Sequence, residues 1–264
     1  MRRLTGKLVL SMRSVHQFVL MAAVSVCLVT GSAFPQGNEL ALATERKRMV
    51  ADINAMAVST ARETGRTHFA DRVMQAIEKV PRHRFVPDYV IHLAYRNQPL
   101  PIGKGQTISQ PYIVALSTDF IDPKPDHVVL EIGTGSGYQA AVLAELVKQV
   151  YSIEIVESLG REAAERLRTL GHRNVEVRIG DGYQGWPDKA PFNGIIVTAA
   201  APFVPDPLIK QLKPGGKMVI PVDSQLGGQE LLLIQKQLDG SVTRKVLLPV
   251  RFVPMTGKGV ESKP

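Results

Sequence analysis

One stretch limits the folds open to this chain more than any other: Leu130-Glu131-Ile132-Gly133-Thr134-Gly135-Ser136-Gly137. An apolar run, His127-Val128-Val129-Leu130, leads into it, and a helix-like segment, Gln139 to Val147, leads out. Strand, glycine turn and helix in that order open a βαβ unit. Glycines at alternate positions let the backbone turn sharply and let a ligand approach where a Cβ would block it. The stretch therefore asks for an α/β fold with a nucleotide-like cofactor beside its first strand.

The residues after Asp126 continue the pattern. Strands are expected at 127–132, 150–155, 175–179, 194–199 and 217–222, with helices at 139–147, 157–170 and 206–212 between them. That alternation predicts a mostly parallel, doubly wound sheet. Two further strands, 231–237 and 242–250, flank Asp239-Gly240, a hairpin signal, so the sheet should end in late antiparallel strands.

The glycine spacing selects the cofactor. Dinucleotide sites carry G-x-G-x-x-G, but here the third glycine, Gly137, comes one residue early and Tyr138 stands where the third dinucleotide glycine belongs. With Glu131 ahead of it, the run E-x-G-x-G-x-G resembles the first motif of S-adenosylmethionine-dependent methyltransferases. Gly133, Gly135 and Gly137 would then pack against the adenosyl and methionyl parts. Three acids fall at successive strand ends: Glu131, Glu154 and Asp181. Ligands of open parallel sheets bind outside those ends. Glu154 is placed to accept from the ribose hydroxyls, and Asp181, with Gly182 beside it, to meet the adenine amino group. A nicotinamide oxidoreductase and a non-catalytic module that keeps the fold remain as alternatives.

Other chemistries find little support. The six histidines form no H-E-x-x-H pairing, and no G-x-S-x-G elbow exists. The only cysteine, Cys27, lies in an N-terminal apolar stretch, so neither a disulfide nor a cysteine metal site is expected in the remainder. The net charge of +8 overstates how basic the chain is. Residues 1–33 hold Arg2, Arg3, Lys7 and Arg13 and no acid, which leaves 28 basic against 24 acidic residues beyond them. That excess does not predict nucleic-acid binding.

Those first 33 residues read as a secretory signal: a basic stretch to Arg13, an apolar stretch from Phe18 to Thr30, then Gly31-Ser32-Ala33. The apolar run of 13 residues is short for a spanning helix. An uncleaved membrane anchor is a second reading, and both predict an exported or tethered protein; a misassigned start upstream of a cytoplasmic protein is the alternative. A linker is expected at 34–43, then a helical and substrate-loop extension at 44–125, the cofactor-binding core at 126–256 and a tail at 257–264. In the extension, Met49, Ile53 and Met56 fall at helical spacing, and Thr67 could cap a second helix carrying Phe69, Val73, Ile77 and Val80. Arg82-His83-Arg84, between Pro81 and Pro87, lies on an extended backbone and could be a basic anion site or a solvated loop, composition favouring the loop. The polar run Ile102 to Pro111 is a candidate lid or substrate loop.

Taken together, these motifs resemble one family, the protein-L-isoaspartate O-methyltransferases. The likeness runs from about Asp71 to Thr256. It rests on Pro81–Pro87, Thr107-Ile108-Ser109-Gln110-Pro111, Val129–Gly137, Gly180–Trp186, Ile195–Ala200, Leu212–Gly216 and Val250-Arg251-Phe252-Val253-Pro254. The glycine motif says only methyltransferase; the Thr107–Pro111 loop and the Arg251–Pro254 tail are what narrow it. The N-terminal segment departs from the pattern, since members are typically cytoplasmic.

The resemblance implies transfer of a methyl group from S-adenosylmethionine to the free α-carboxylate of isoaspartyl residues in damaged proteins and peptides. The ester then closes to a succinimide that reopens partly as normal aspartate. A methyltransferase acting on another carboxylate or a small molecule is the alternative. By resemblance Ser109 is the active-site serine. Thr107, Ile108 and Gln110 form a loop over cofactor and substrate, and Thr256 closes over the site. No metal is implied, and a monomer is expected.

Overall fold

The computed structural model describes residues 36–258, so the signal-like segment lies outside the described residues. Helix α1 runs Gln36–Ser59, followed by the single turn α2, Ala61–Thr64, and α3, Asp71–Lys79. The span expected as a linker, 34–43, is thus helical from Gln36, because Glu39, Leu40, Ala41, Leu42 and Ala43 are all helix formers. Met49 and Ile53 are buried in α1 as expected, while Ala57 completes the stripe and Met56 is only half-buried. Thr67 does not cap α3: the N-cap is Ala70, without a side-chain cap, and the Ala70 N–H donates to Asp119 instead.

A 3-10 turn at Arg82–Phe85 replaces the extended loop expected there, and both Arg82 and His83 are buried. The polar run that follows is a small hairpin, β1 (Leu100–Gly103) with β2 (Gln106–Ile108). Lys104 and Gly105 turn it, both with positive φ, as a tight two-residue hairpin requires. Ser109 and Gln110 link β2 to α4, Pro111–Phe120. Proline at the first position of α4 suits a helix start, where no N–H is needed.

The core then alternates β3 (Val128–Ile132), α5 (Tyr138–Ala144), β4 (Gln149–Glu154), α6 (Glu157–Thr169), β5 (Val175–Ile179), β6 (Phe192–Val197), α7 (Asp206–Lys210), β7 (Leu212–Asp223), β8 (Gln229–Lys236) and β9 (Val242–Val250). The seven strands lie in the order β5-β4-β3-β6-β7-β8-β9. β5 to β7 pair in parallel; β8 is antiparallel to both of its neighbours. The expected α/β architecture is therefore the observed one: a mostly parallel doubly wound sheet, late antiparallel strands and an N-terminal helical extension.

Alternating strand residues feed two cores. Val129, Val150, Ile196 and Val219 pack toward α1, α4 and α5, while Leu130, Ile153, Ile195 and Met218 pack with Tyr183, Trp186 and Leu208 on the other face. Burial on both faces explains why the strands read as unbroken apolar runs. The strand order reverses between β3 and β6, and that switch point opens a crevice at their carboxyl ends.

Candidate active site

The crevice is built first by the turn after β3. Gly133 N–H donates to the Ile153 carbonyl at 2.8 Å, and Thr198 N–H donates to the Ile132 carbonyl at 2.9 Å, so β4 and β6 clamp the turn from both sides. Thr198 Oγ1 also donates to the Gly133 carbonyl at 2.6 Å. Gly133 sits at φ +93°, and a Cβ there would stand 2.3 Å from Thr198 Oγ1. Gly137, at φ +92°, is pressed against Leu167 of α6, so it serves helix packing rather than ligand access.

The acids at the strand ends follow. Glu154 closes β4 and is buried. Its Oε2 accepts from Gly135 N–H at 2.8 Å and its Oε1 from Val156 N–H at 2.9 Å. Glu131 is wholly buried in β3. Ser152 Oγ donates to its Oε2, Thr134 shares a hydrogen bond with Ser152, the Ala140 N–H also favours the charged carboxyl, and Oε1 completes no hydrogen bond of standard geometry. Burial pushes the Glu131 carboxyl up to about 8; the Ser152 bond opposes this and the nearby Glu154 charge adds to it. Asp181 follows β5, but its carboxylate is already engaged, by Tyr183 N–H at 2.9 Å and Lys258 N–H at 2.8 Å. Gly257 approaches it so closely that a Cβ would meet Asp181 Oδ1 at 2.4 Å. Gly182 is equally tight, with Ile132 Cγ2 at 2.3 Å from its virtual Cβ.

Three connected spaces result. A cleft that opens to solvent is lined by Gly133, Gly135, Glu154, Gly182 and Thr198, together with Thr107 and Thr256. A smaller recess beside it joins Ser109 and Ile108 to Glu131 and the glycine turn. An apolar trough runs between α1, α4 and the end of β9, from Met56 and Tyr112 to Val250–Phe252, and shares Thr107 with both other spaces and Ser109 with the recess. Chain segments far apart in sequence meet here: the β2–α4 junction, the glycine turn and the tail after β9. The tail is fixed by Met255 N–H donating to the Ala200 carbonyl at 2.7 Å.

The expected residues thus divide. Thr107, Ile108, Ser109, Glu131, Gly133, Gly135, Glu154, Gly182 and Thr256 line these connected spaces. Gln110 turns away from the cleft: its amide donates to the Asn97 carbonyl at 2.9 Å and faces the Met56 sulfur, so it lines only the trough. The Asp181 carboxylate is held by the tail, outside the cleft lining. Thr198 and Arg82 were not expected. Thr198 follows β6 one residue past the Ile132–Val197 pair, opposite Gly133, a position the strand register alone points to. Arg82 belongs to the basic run 82–84, for which composition favours a solvated loop over an anion site.

The lining chemistry can be tested against the expected cofactor. The cleft wall holds no lysine or arginine, and Glu154 is its one charged side chain among the described residues. A phosphate-bearing dinucleotide finds no cationic partner there. A ligand with ribose hydroxyls and a cationic end finds the Glu154 carboxylate in the cleft and the buried Glu131 carboxyl in the adjoining recess. Glycine at 133, 135 and 182 leaves the walls without side chains where an adenosyl group needs room. The residues present fit S-adenosylmethionine.

Comparison with known proteins agrees. The family model described as protein-L-isoaspartate(D-aspartate) O-methyltransferase matches residues 54–260. Protein-L-isoaspartate O-methyltransferase 1 of Cupriavidus necator is 54% identical over 243 residues, covering 91% of this chain and 92% of its own. Among solved structures, a protein-L-isoaspartate O-methyltransferase superposes with a TM-score of 0.71 at 28% identity, over 80% of this chain and 66% of that one. A putative protein-L-isoaspartate O-methyltransferase from Plasmodium falciparum, solved with S-adenosyl-L-homocysteine, gives 0.67 at 23% identity, covers 80% of this chain and 98% of its own, and bears on the fold alone. The chain belongs to the protein-L-isoaspartate(D-aspartate) O-methyltransferase family.

Proposed function

We propose that this protein is a repair methyltransferase: it moves a methyl group from S-adenosylmethionine to the free α-carboxylate of L-isoaspartyl residues in damaged proteins and peptides. One observation carries the reading. Ser109 lines both the Glu131 recess and the apolar trough, Thr107 two residues before it lines these and the glycine cleft as well, and the trough gives a peptide a way to that point from outside.

When bound, S-adenosylmethionine supplies a methyl group already activated on a sulfonium. The nucleophile is a carboxylate, ionised near neutral pH, so no general base is required. What the chain must do is bind, align and exclude water. In this reading Ser109 Oγ donates to one carboxylate oxygen and directs the other at the methyl group. Thr107 and Thr256 close the cleft edges. Glu154 takes the ribose hydroxyls, and Glu131 faces the cationic end. Asp181 meets the adenine only once the Lys258 N–H has released it or shares it. The Ser109→Ala variant tests the assignment: turnover of an isoaspartyl peptide should fall while the affinity for S-adenosylhomocysteine, read by calorimetry, stays within about twofold of wild type. Wild-type turnover in that variant removes Ser109 from the mechanism.

We also propose that the protein is a monomer, exported or membrane-tethered. Supporting the latter is the run of four basic residues, an apolar stretch and small residues within 1–33. Fractionation that recovers the full-length chain from the cytoplasm overturns it.

A further inference from the structure

Arg82 is the one lysine or arginine among the described residues that is completely buried. Such a cation is costly unless something pairs with it. No ion pair among the described residues includes it. Its partners are backbone carbonyls instead. Nε donates to Ala94 O at 2.9 Å, and Nη2 donates to Ser109 O at 2.7 Å, with Gln98 O at 3.5 Å. The guanidinium lies 4.7 Å from the centre of the Tyr138 ring, the first residue of α5 after the glycine turn. Nη1 and the Tyr138 hydroxyl are both buried, and neither completes a hydrogen bond of standard geometry. Desolvation lowers the guanidinium to about 10, so it stays charged at neutral pH.

A buried charge without a counter-charge, in direct contact with the backbone of Ser109, is a poor stabilising device. A group that arrives carrying a negative charge changes that. We propose that Arg82 is a positioning residue for methyl transfer: its fork fixes the Ser109 backbone against the Ala94 segment and the start of α5, and its charge makes the Ser109 pocket favour a carboxylate over a neutral group. This rests on the reading of the Ser109 pocket as the carboxylate site. Two roles separate by chemistry. Lysine keeps the charge but not the planar fork that reaches two carbonyls at once; glutamine keeps polarity and loses the charge.

The test uses an isoaspartyl peptide as substrate, the same peptide with its α-carboxylate amidated as competitive inhibitor, and S-adenosylhomocysteine for cofactor affinity. In Arg82→Gln the KM of the acid should rise about tenfold or more while the inhibition constant of the amide moves less than about threefold. In Arg82→Lys that discrimination should return, with kcat still about tenfold down because Ser109 is no longer held. Cofactor affinity should stay near wild type in both. If the glutamine variant does not fold, Arg82→Lys decides alone: a wild-type kcat overturns the inference. So does a glutamine variant that still prefers the acid, or a loss of cofactor affinity equal to the loss for peptide, which makes Arg82 a fold-holding residue only. Absence of turnover in the wild type would refute the methyltransferase reading; wild-type turnover with unaffected Arg82 variants refutes this inference alone.

Discussion

Replacing Glu131 by glutamine should stabilise the ligand-free protein, and by more as the pH rises. In the unfolded chain this carboxyl ionises near 4.5; in the folded protein burial holds it to about 8. Between those values the folded state keeps a proton that the unfolded state has released. Each pH unit in that window therefore lowers the unfolding free energy by about 1.4 kcal/mol. From pH 5.5 to 7.5 the sum is about 2–3 kcal/mol, undiminished by solvent because the group is fully buried. Glutamine does not titrate, and its carbonyl can still accept from Ser152. All other titrations are common to both proteins and cancel in the difference. Urea unfolding of wild type and Glu131→Gln at pH 5.5, 6.5 and 7.5 measures it. A stability difference that does not change across this range refutes the placement of a protonated Glu131 beneath the cleft. The same substitution should weaken S-adenosylmethionine binding, since the carboxyl can release its proton and ionise against a bound cation and the amide cannot.

Other outcomes follow from the same geometry. Gly133→Ala forces a Cβ into Thr198 Oγ1 at positive φ, and should cost about 2 kcal/mol or more of stability in thermal unfolding together with most cofactor affinity. Glu154→Ala strips the acceptor from Gly135 and Val156 N–H. It should cost about 1–3 kcal/mol in unfolding free energy, and titration with S-adenosylhomocysteine should show a weaker site. Leu226→Asp, at a hairpin tip where the side chain is 98% exposed, should leave stability and turnover unchanged, and a loss of either would show an unrecognised contact.

Much of the core was legible because its strands are buried on both faces and broken by turn residues. β5 and β9 occupy the expected residues, β3 differs by a residue at one end and β4 by a residue at each end. β7 was shortened because Lys213-Pro214-Gly215-Gly216 reads as a turn; the strand runs through it, pairing irregularly with β6 between Phe192 and Gly194. The β1–β2 hairpin was missed because strands of three and four residues carry almost no alternation. Its Lys104-Gly105 turn was the available signal. The glycine turn and its acids were legible because the cleft is made of backbone and strand ends, which sequence encodes locally. Arg82 was not, because burial of a long cation depends on segments brought together from residues 94, 98, 109 and 138. Gln110 failed for the same reason: its neighbours in sequence point to the cofactor, while Asn97 and Met56 take its side chain.

The most direct test is methyl transfer to a matched pair of peptides, one isoaspartyl and one aspartyl at the same position, with labelled S-adenosylmethionine. The trough, the Ser109 junction and the glycine cleft together predict label on the isoaspartyl peptide alone, released by mild base as expected of a carboxyl methyl ester. Equal labelling of both isomers, label that survives base, or no label on either would contradict a carboxylate repair site at Ser109.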